Sequence, residues 1–440
     1  MSSENDAQGR GARLERLRRL GLQRGAGHLI RPHASAARSQ AVIPGAPGAA
    51  VLPGEAWLTD YGPAWVATTR YPLDRHPDLA AWASLSPDVL SSIGRDTHLL
   101  GLEPGQAAFL DTETTGLSQD AGTYTFLIGI GVYDLAGPEP AFVVHQYFMR
   151  NPAEERAQLQ LVEEALVDRA GLVSFNGRGF DMPLVNNRFM LAAIRPPLLG
   201  APHLDLLPPS RRMWRARWGS CSLGNLERNV LGLERTAEDV PGYLIPDIYR
   251  AHYRTGEVSE LMVRVFYHNL QDIVSMPLLA VRLAALFGSG DDLPDFAGVH
   301  PLECLSLGRW YEALARPEAG IKAYRAALGG PLSEAEQALS LRALADLYKR
   351  LGRQAEAAAL WEEWIGTIPG DDLTPYVELA KYHEWRTGDL AAARGWAGWA
   401  ARLVEDWAPG PARERALDEI GRRLERLARK MVQGGPGIEG

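Results

Sequence analysis

Residues 107–117 read AAFLDTETTGL, and this stretch sets the expectation for both the fold and its site. Four apolar residues lead directly into Asp111 and Glu113, the pattern of a buried strand that ends in two acids. Side chains at positions i and i+2 of a strand point to the same face, so both carboxylates can converge on one metal ion or one metal pair. Their desolvation and mutual repulsion are costs that a divalent cation offsets. The alternative to a metal site is that these residues simply end the strand, a position where Asp and Thr are common.

The segments around this strand predict a mixed α/β sheet with helices on its faces. Two further strand patterns follow it, and after them helix and strand patterns alternate until a long amphipathic helix at residues 259–286. The strand patterns are TYTFLIGIGVYD (123–134), AFVVHQYFMR (141–150), GLVSFN (171–176) and HLDLL (203–207); helical spacing appears over 153–168 and from Pro183.

Two more acids can reach the same edge of such a sheet. Asp181 follows a short strand and the turn that begins at Asn176, and it opens a helix; taken alone, it is an N-cap. Asp272 lies on the predicted long helix, where an acid can also be simply solvated. Asp205, in HLDLL, is interpreted as structural or as a support for the site rather than as a ligand.

The order and spacing of these motifs resemble a known family. The chain has D-x-E on the first strand, N-x3-F-D about 65 residues later, and a His or Tyr shortly before a helical Asp about 90 residues further on. This arrangement resembles the DEDD superfamily of 3′-5′ exonucleases, which have an RNase H-like fold. The stretches FLDTETTGL, FNGRGFDMPL, SLGNLE, VPGYLIPDIY and HNLQDIVSM look like the YprB-type ribonuclease H-like domain, a bacterial group that often carries C-terminal TPR repeats. The resemblance covers roughly residues 57–410.

The resemblance implies a site that holds two Mg²⁺ or Mn²⁺ ions for in-line attack on phosphorus. The implied metal ligands are Asp111, Glu113, Asp181 and Asp272. His268 is the implied base, although the chain reads H-x3-D and Y-x4-D where the family patterns are H-x4-D and Y-x3-D. On a regular helix His268 lies about 40° from Asp272 and Tyr267 about 140°, so His268 is preferred and Tyr267 is assigned to packing.

A stretch rich in Arg and Trp, residues 208–225, is the best candidate for guiding a nucleic-acid strand. Arginine pairs with phosphate, and tryptophan faces stack on the bases of a single strand. The alternative is that the tryptophans are core residues and the arginines a solvated rim. The residues assigned to nucleic-acid binding are Thr112, Asn176, Arg178, Arg211, Arg212, Trp214, Arg215 and Arg217.

The last third of the chain predicts paired helices that repeat. Gly308, Ala345 and Ala380 occupy equivalent small positions, 37 and 35 residues apart, and Tyr324, Trp361 and Trp396 follow with the same spacing as large residues. A period near 34, with small residues where helices cross and aromatic ones where they wedge, resembles TPR repeats. The basic segment RERALDEIGRRLERLARKMV predicts a capping helix, or alternatively a helix that binds a partner.

Composition excludes several classes of protein. The 440 residues carry 54 acidic and 46 basic side chains, a net charge of −8, which argues against a protein that coats nucleic acid but allows a local basic groove. Two cysteines exclude a disulfide framework, and with no signal-peptide pattern they predict a cytoplasmic protein. The absence of an apolar run of about 18 residues argues against membrane insertion.

The resulting prediction is a disordered tail, an RNase H-like α/β domain and an all-α TPR-like array. The function expected is a metal-dependent 3′-5′ exonuclease acting on a single strand or 3′ end, with a protein partner on the repeats; the alternative is a non-catalytic nucleic-acid-binding adaptor. The sequence does not decide whether the substrate is DNA or RNA, or whether the enzyme acts as an exonuclease or an endonuclease. The predicted boundaries are 1–54 for the tail, 55–100 for an N-terminal extension, 101–290 for the exonuclease domain, 300–410 for the repeats and 411–440 for the capping helix and tail.

Overall fold

The computed structural model describes residues 50–116, 122–236, 238–287 and 295–433. Residues 1–49 of the predicted N-terminal tail and residues 434–440 of the predicted C-terminal tail therefore lie outside the described residues. Along the chain, a sheet with flanking helices comes first and a helical array follows.

The sheet that these residues form has seven strands in the spatial order β1-β2-β5-β4-β3-β6-β7. β6 runs parallel to β3 and β7 parallel to β6, whereas the other neighbouring pairs are antiparallel, which confirms the predicted mixed sheet. Because β3 and β6 are parallel neighbours, their carboxyl ends meet at one edge of the sheet. The strands are β1 (Glu55–Thr59), β2 (Gly62–Pro72), β3 (Ala107–Thr114), β4 (Thr125–Asp134), β5 (Ala141–Phe148), β6 (Gly171–Ser174) and β7 (His203–Asp205).

Helices cover both faces of the sheet, as the sequence predicts. The long predicted helix is α8, which Ser259 caps at its N-terminus. α8 packs on one face of β3, β4 and β5, and α3 packs on the opposite side. The helices of this part are α1 (Pro77–Ala83), α2 (Pro87–Gly94), α3 (Glu155–Leu166), α4 (Asp181–Leu191), α5 (Leu207–Trp218), α6 (Leu223–Leu226), α7 (Ile245–Thr255) and α8 (Glu260–Ala284).

A glycine in β4 lets α8 approach the sheet closely. A Cβ atom on Gly129 would lie 2.2 Å from Cδ1 of Ile273 and 2.3 Å from Oδ1 of Asn269. No side chain larger than hydrogen fits between β4 and α8 at this point, so Gly129 sets the distance between the helix and the strands that carry the site.

The helical array packs each helix against its neighbours in the chain. Gly308 lies against the ring of Tyr324, where an added Cβ would come within 2.4 Å, so the predicted small and large positions do meet in this pair. The array comprises α9 (Pro301–Ala313), α10 (Pro317–Leu328), α11 (Glu334–Arg350), α12 (Gln354–Thr367), α13 (Thr374–Tyr382), α14 (Leu390–Glu405) and α15 (Pro411–Gln433). None of the described helices combines the length and apolar character needed to cross a bilayer.

Candidate active site

β3 places Asp111 and Glu113 on the face of the sheet that packs against α8. Phe109, on the same face of β3, lies in one buried cluster with Ile273 of α8. The pairing of β3 with β4 shifts register after Glu113, where the strand leaves the regular ladder. The Glu113 carboxylate has no hydrogen-bond or ion-pair partner within the described residues. It is an anion that the described part of the chain leaves without a direct counter-ion.

Asn269 of α8 orients the Asp111 side chain. Its Nδ2 donates to Oδ2 of Asp111 at 2.8 Å, and its own Oδ1 accepts from Nε2 of Gln146 at 2.9 Å. Asn269 is fully buried, and Gln146 also donates to the carbonyl of Phe266 at 2.8 Å. A hydrogen-bonded relay therefore fixes Asp111 from β5 through α8. Asn269 was not predicted from the sequence, although it lies between His268 and Asp272 on the same helix.

Asp181 is the first residue of α4 and is buried beneath the end of β3. Thr112 donates its hydroxyl hydrogen to Oδ1 of Asp181, so its side chain serves the carboxylate and is turned away from solvent. The assignment of Thr112 to nucleic-acid binding stays a prediction.

Asp205, at the end of β7, holds the turn between β6 and α4. Its carboxylate accepts from the backbone N–H groups of Asn176 at 2.8 Å and Arg178 at 3.2 Å, and also from Leu207 at 3.0 Å. Asn176 is in the left-handed region, with φ of 70°, at the sharpest part of this turn. The structural role predicted for Asp205 is confirmed, since it fixes the loop that delivers Asp181.

His268 and Asp272 lie one turn apart on α8 and face the same cavity of about 650 Å³. Nε2 of His268 is 3.6 Å from Oδ2 of Asp272, and Nδ1 is 2.7 Å from Oδ1 of Asp239. Tyr267 points elsewhere, where its hydroxyl accepts from the backbone N–H of Thr236 at 3.2 Å. The structure thus places His268, rather than Tyr267, beside Asp272.

Arg235, which the sequence analysis did not identify, links the carboxylates of this cavity. It forms a bidentate ion pair with Glu227, with N···O distances of 2.6 and 2.7 Å, and donates a hydrogen bond to Oδ1 of Asp272. Glu227 is 2% exposed and accepts a further hydrogen bond from Ser275. Glu227 begins a short π-helical segment, Glu227–Leu231, and Arg235 follows in irregular chain. Among the contacts of the described residues, Asp272 is therefore the one predicted ligand with a cationic partner.

The four predicted metal ligands have raised pKa values. Burial is the largest cause at each, and the neighbouring carboxylates add to it at Asp111 and Glu113. Burial raises the pKa of Asp181 to about 6, against the opposing effect of the Thr112 hydrogen bond. Burial also raises the pKa of Asp272, although His268 and Arg235 act in the opposite direction. The site thus holds carboxylates whose negative charge is poorly compensated.

The donor chemistry of this cluster fits a hard divalent cation, because carboxylate oxygens are the ligands that Mg²⁺ and Mn²⁺ prefer. As the side chains of the described residues stand, no three His, Cys, Asp or Glu groups are arranged to hold one metal ion. Two contacts oppose such an arrangement, since Arg235 engages Asp272 and Thr112 engages Asp181. The residues that would hold a metal are Asp111, Glu113, Asp181 and Asp272.

The first part of the Arg- and Trp-rich stretch, which was predicted to guide a nucleic-acid strand, forms α5. The two faces of this helix have different roles. Trp214 is 2% exposed and lies in the core, so it cannot stack on a base and that prediction is wrong. Arg212 lies 4.7 Å above the ring of Trp310, and Arg217 pairs with Glu303 at 2.7 Å. These two arginines join α5 to α9, and their assignment to nucleic-acid binding stays a prediction.

The remaining residues assigned to nucleic acid lie at the surface. Arg211 and Arg215 are exposed on α5, and Asn176 and Arg178 are exposed in the turn before α4. The guanidinium of Arg178 pairs with Asp96 at 3.1 Å. Only the positions of these four residues are established, and their contacts with nucleic acid stay predictions.

Residues 108–284 match the sequence profile of the RNase H superfamily. The matched segment contains Asp111, Glu113, Asp181, His268 and Asp272. Together with the mixed sheet, this match is consistent with an RNase H-like fold and suggests a nuclease. The chain is also 29% identical over 377 residues to the uncharacterized protein YprB of Bacillus subtilis, a similarity that covers 83% of this chain and 86% of that protein. The likeness to YprB therefore extends from the RNase H-like domain into the helical array.

Proposed function

We propose that this protein is a metal-dependent nuclease of the DEDD type that removes nucleotides from the 3′ end of DNA or RNA. One observation carries the proposal. Asp111, Glu113, Asp181 and Asp272 come from three separate elements to one edge of the sheet, and burial raises the pKa of each. A fold retains buried, poorly compensated anions at an evident cost, and a bound divalent cation offsets that cost.

The proposed reaction is phosphodiester hydrolysis by water. Two Mg²⁺ or Mn²⁺ ions, when bound, supply Lewis-acid activation of the water and stabilise the leaving 3′ oxygen. Nδ1 of His268 is taken up by Asp239 at 2.7 Å and Arg235 at 3.2 Å, so Nε2 is the ring nitrogen that is placed to accept a proton from water. Asn269 and Thr112 hold Asp111 and Asp181 in fixed orientations.

Shortening of a labelled strand tests the proposal directly. Purified protein with Mn²⁺ or Mg²⁺ is expected to degrade a 5′-labelled single-stranded oligonucleotide in single-nucleotide steps. Asp111→Asn should lower the rate by at least about 100-fold, because loss of a carboxylate ligand weakens the hold on the metal ion that would stabilise the transition state. Asp168→Asn, a change of an exposed carboxylate, serves as the matched control and should retain full activity.

A second candidate function is that of a non-catalytic adaptor that only binds nucleic acid. The contact of Arg235 with Asp272 favours it, because a guanidinium at this carboxylate takes the place of a metal ion. The irregular H-x3-D spacing points the same way. Wild-type protein that binds the strand but never shortens it with either metal would exclude the nuclease and leave the adaptor. Recruitment of a protein partner by the TPR-like array stays a prediction under either function.

A further inference from the structure

Arg211 and Arg215 lie four residues apart on the exposed face of α5. Within the described residues, neither has an ion-pair, hydrogen-bond or ring partner. Both line a cavity of about 580 Å³, whose walls also include Asn176 and the segment 219–223. Two like charges at this spacing repel each other, and an anion that binds both of them relieves this repulsion.

The cavity at α5 adjoins the cavity of the candidate active site. Leu223 lines both of them. The active-site cavity also exposes Arg228, which again has no partner within the described residues. Three guanidinium groups that have no ion-pair partner among the described residues therefore lie along a route that begins at His268 and Asp272, passes Leu223 and ends on α5.

Three neighbouring arginines, by contrast, do have partners. Arg212 and Arg217, on the same helix, contact α9, and Arg235, in the same cavity as Arg228, is held by carboxylates. Of the arginines that border the two adjoining cavities, Arg211, Arg215 and Arg228 are thus left available within the described residues, whereas Arg235 is engaged by carboxylates. A guanidinium group pairs with phosphate through two parallel hydrogen bonds, which makes a phosphate the anion that suits this route.

We propose that Arg228, Arg211 and Arg215 form a phosphate track that binds successive backbone phosphodiesters of a single strand whose 3′ end lies at the carboxylates. The inference rests on the proposed function and adds to it the path of the substrate. Asn176, exposed in the wall of the α5 cavity, provides an amide group beside the same path. Three contacts to phosphates, without a base-reading element among them, make the track independent of sequence.

The test measures strand binding rather than cleavage. Asp111→Asn protein is titrated against a 5′-fluorescein 12-mer by anisotropy from 50 to 300 mM NaCl, with and without the substitutions R211Q, R215Q and R228Q together. The triple substitution should weaken binding at least tenfold at 50 mM NaCl. It should also reduce the slope of log K against log[salt] by about 2, because each phosphate contact on a single strand contributes about 0.7. A 5′-phosphorylated 12-mer should bind like its 5′-hydroxyl form, since the track binds internal phosphodiesters.

The control removes three positive charges elsewhere. Arg394, Arg415 and Arg429 are exposed on the helical array, and their replacement by Gln should leave both affinity and salt slope unchanged. Arg→Lys at the three track positions should restore most of the salt slope. Binding that the track substitutions do not change overturns the track and leaves the nuclease standing. Failure of Asp111→Asn protein to bind the strand at any salt concentration overturns the track, whereas the nuclease is decided separately by strand shortening in the wild type. If the wild type never cleaves but the track substitutions still weaken binding as described, the track stands and the nuclease does not.

Discussion

At the scale of single residues, Asp181 couples the acidity of the site to the stability of the fold. Burial raises its pKa from 3.8 to about 6, so the folded protein holds a proton that the unfolded chain releases at lower pH. The stabilisation from this group is complete below about pH 4 and is lost as pH rises through about 6. Without divalent ions, the free energy of unfolding should therefore fall across this window, by on the order of 3 kcal/mol for this group.

Urea unfolding in EDTA at pH 4, 5, 6 and 7 measures this loss. Asp111, Glu113 and Asp272 have pKa shifts of the same sign, so the wild-type slope contains more than one contribution. Asp181→Asn should remove the part that belongs to one carboxyl group, and Asp168→Asn should remove none. An Asp181→Asn protein with the full wild-type slope would show that this carboxyl group does not titrate as described.

Asn269 and Arg235 were not predicted from the sequence, and the local sequence pattern indicates only the first of them. Asn269 follows His268 and precedes Asp272 by three positions, so helical spacing alone places it on the same side of α8. Arg235 lies in an irregular segment with no periodicity, and its contacts with Glu227 and Asp272 depend on how that segment folds back. Long-range contacts of this kind leave no signal in local sequence.

At the scale of elements, the close packing of α8 on β4 fixes the geometry of the site. Gly129→Ala would place a Cβ atom within 2.3 Å of Asn269 and force the helix away from the strand. We expect a loss of about 1–3 kcal/mol in the free energy of unfolding from overpacking. Mn²⁺ affinity, measured by calorimetry without substrate, should fall by about 10-fold or more, because displacement of Asn269 releases Asp111.

The control for this prediction is another glycine in regular structure. Gly366 of α12 has open space around its Cα atom, so Gly366→Ala should leave Mn²⁺ affinity unchanged. It should also slightly stabilise the helix, by up to about 1 kcal/mol. Equal Mn²⁺ affinity in the two variants would mean that the position of α8 does not control the metal site.

β3 and α5 differ in how much of their structure the sequence predicts. Strand β3 runs over Ala107–Thr114, the stretch that its apolar residues and two acids predict. For α5, the composition of the Arg and Trp stretch indicated a basic surface but could not assign each residue to a face. The core side of this helix depends on the docking of α9, which brings Trp310 and Glu303 against Arg212 and Arg217. Tertiary contact therefore decides which arginines are available.

At the scale of the whole molecule, the RNase H-like domain and the helical array share one core. A single buried cluster runs from Phe109 of β3, through α8, to Leu379 of α13. Tyr311 of α9 donates to the carbonyl of Leu286, just beyond α8, at 2.8 Å. The array is thus packed against the domain as a continuation of its interior, and the two parts are expected to unfold together.

Trp310 is the side chain on which this coupling can be tested. It is 1% exposed, packs edge-on against Phe287 and donates its indole N–H to the carbonyl of Ser92 at 3.2 Å. Trp310→Ala should lower the free energy of unfolding by about 3–5 kcal/mol, as expected for loss of a buried aromatic side chain. Because the core is shared, hydrogen exchange measured by mass spectrometry should speed up in β3–β5 as well as in α11–α13.

Trp399→Ala provides the matched control, since Trp399 is 54% exposed and its ring is covered by Arg402. This substitution should leave exchange in β3–β5 unchanged. If Trp310→Ala speeds exchange in α11–α13 while the amides of β3–β5 keep their wild-type protection, the array unfolds on its own and the shared cluster does not couple the two parts. Faster exchange in both regions, with a common unfolding midpoint, is the result that a continuous core requires.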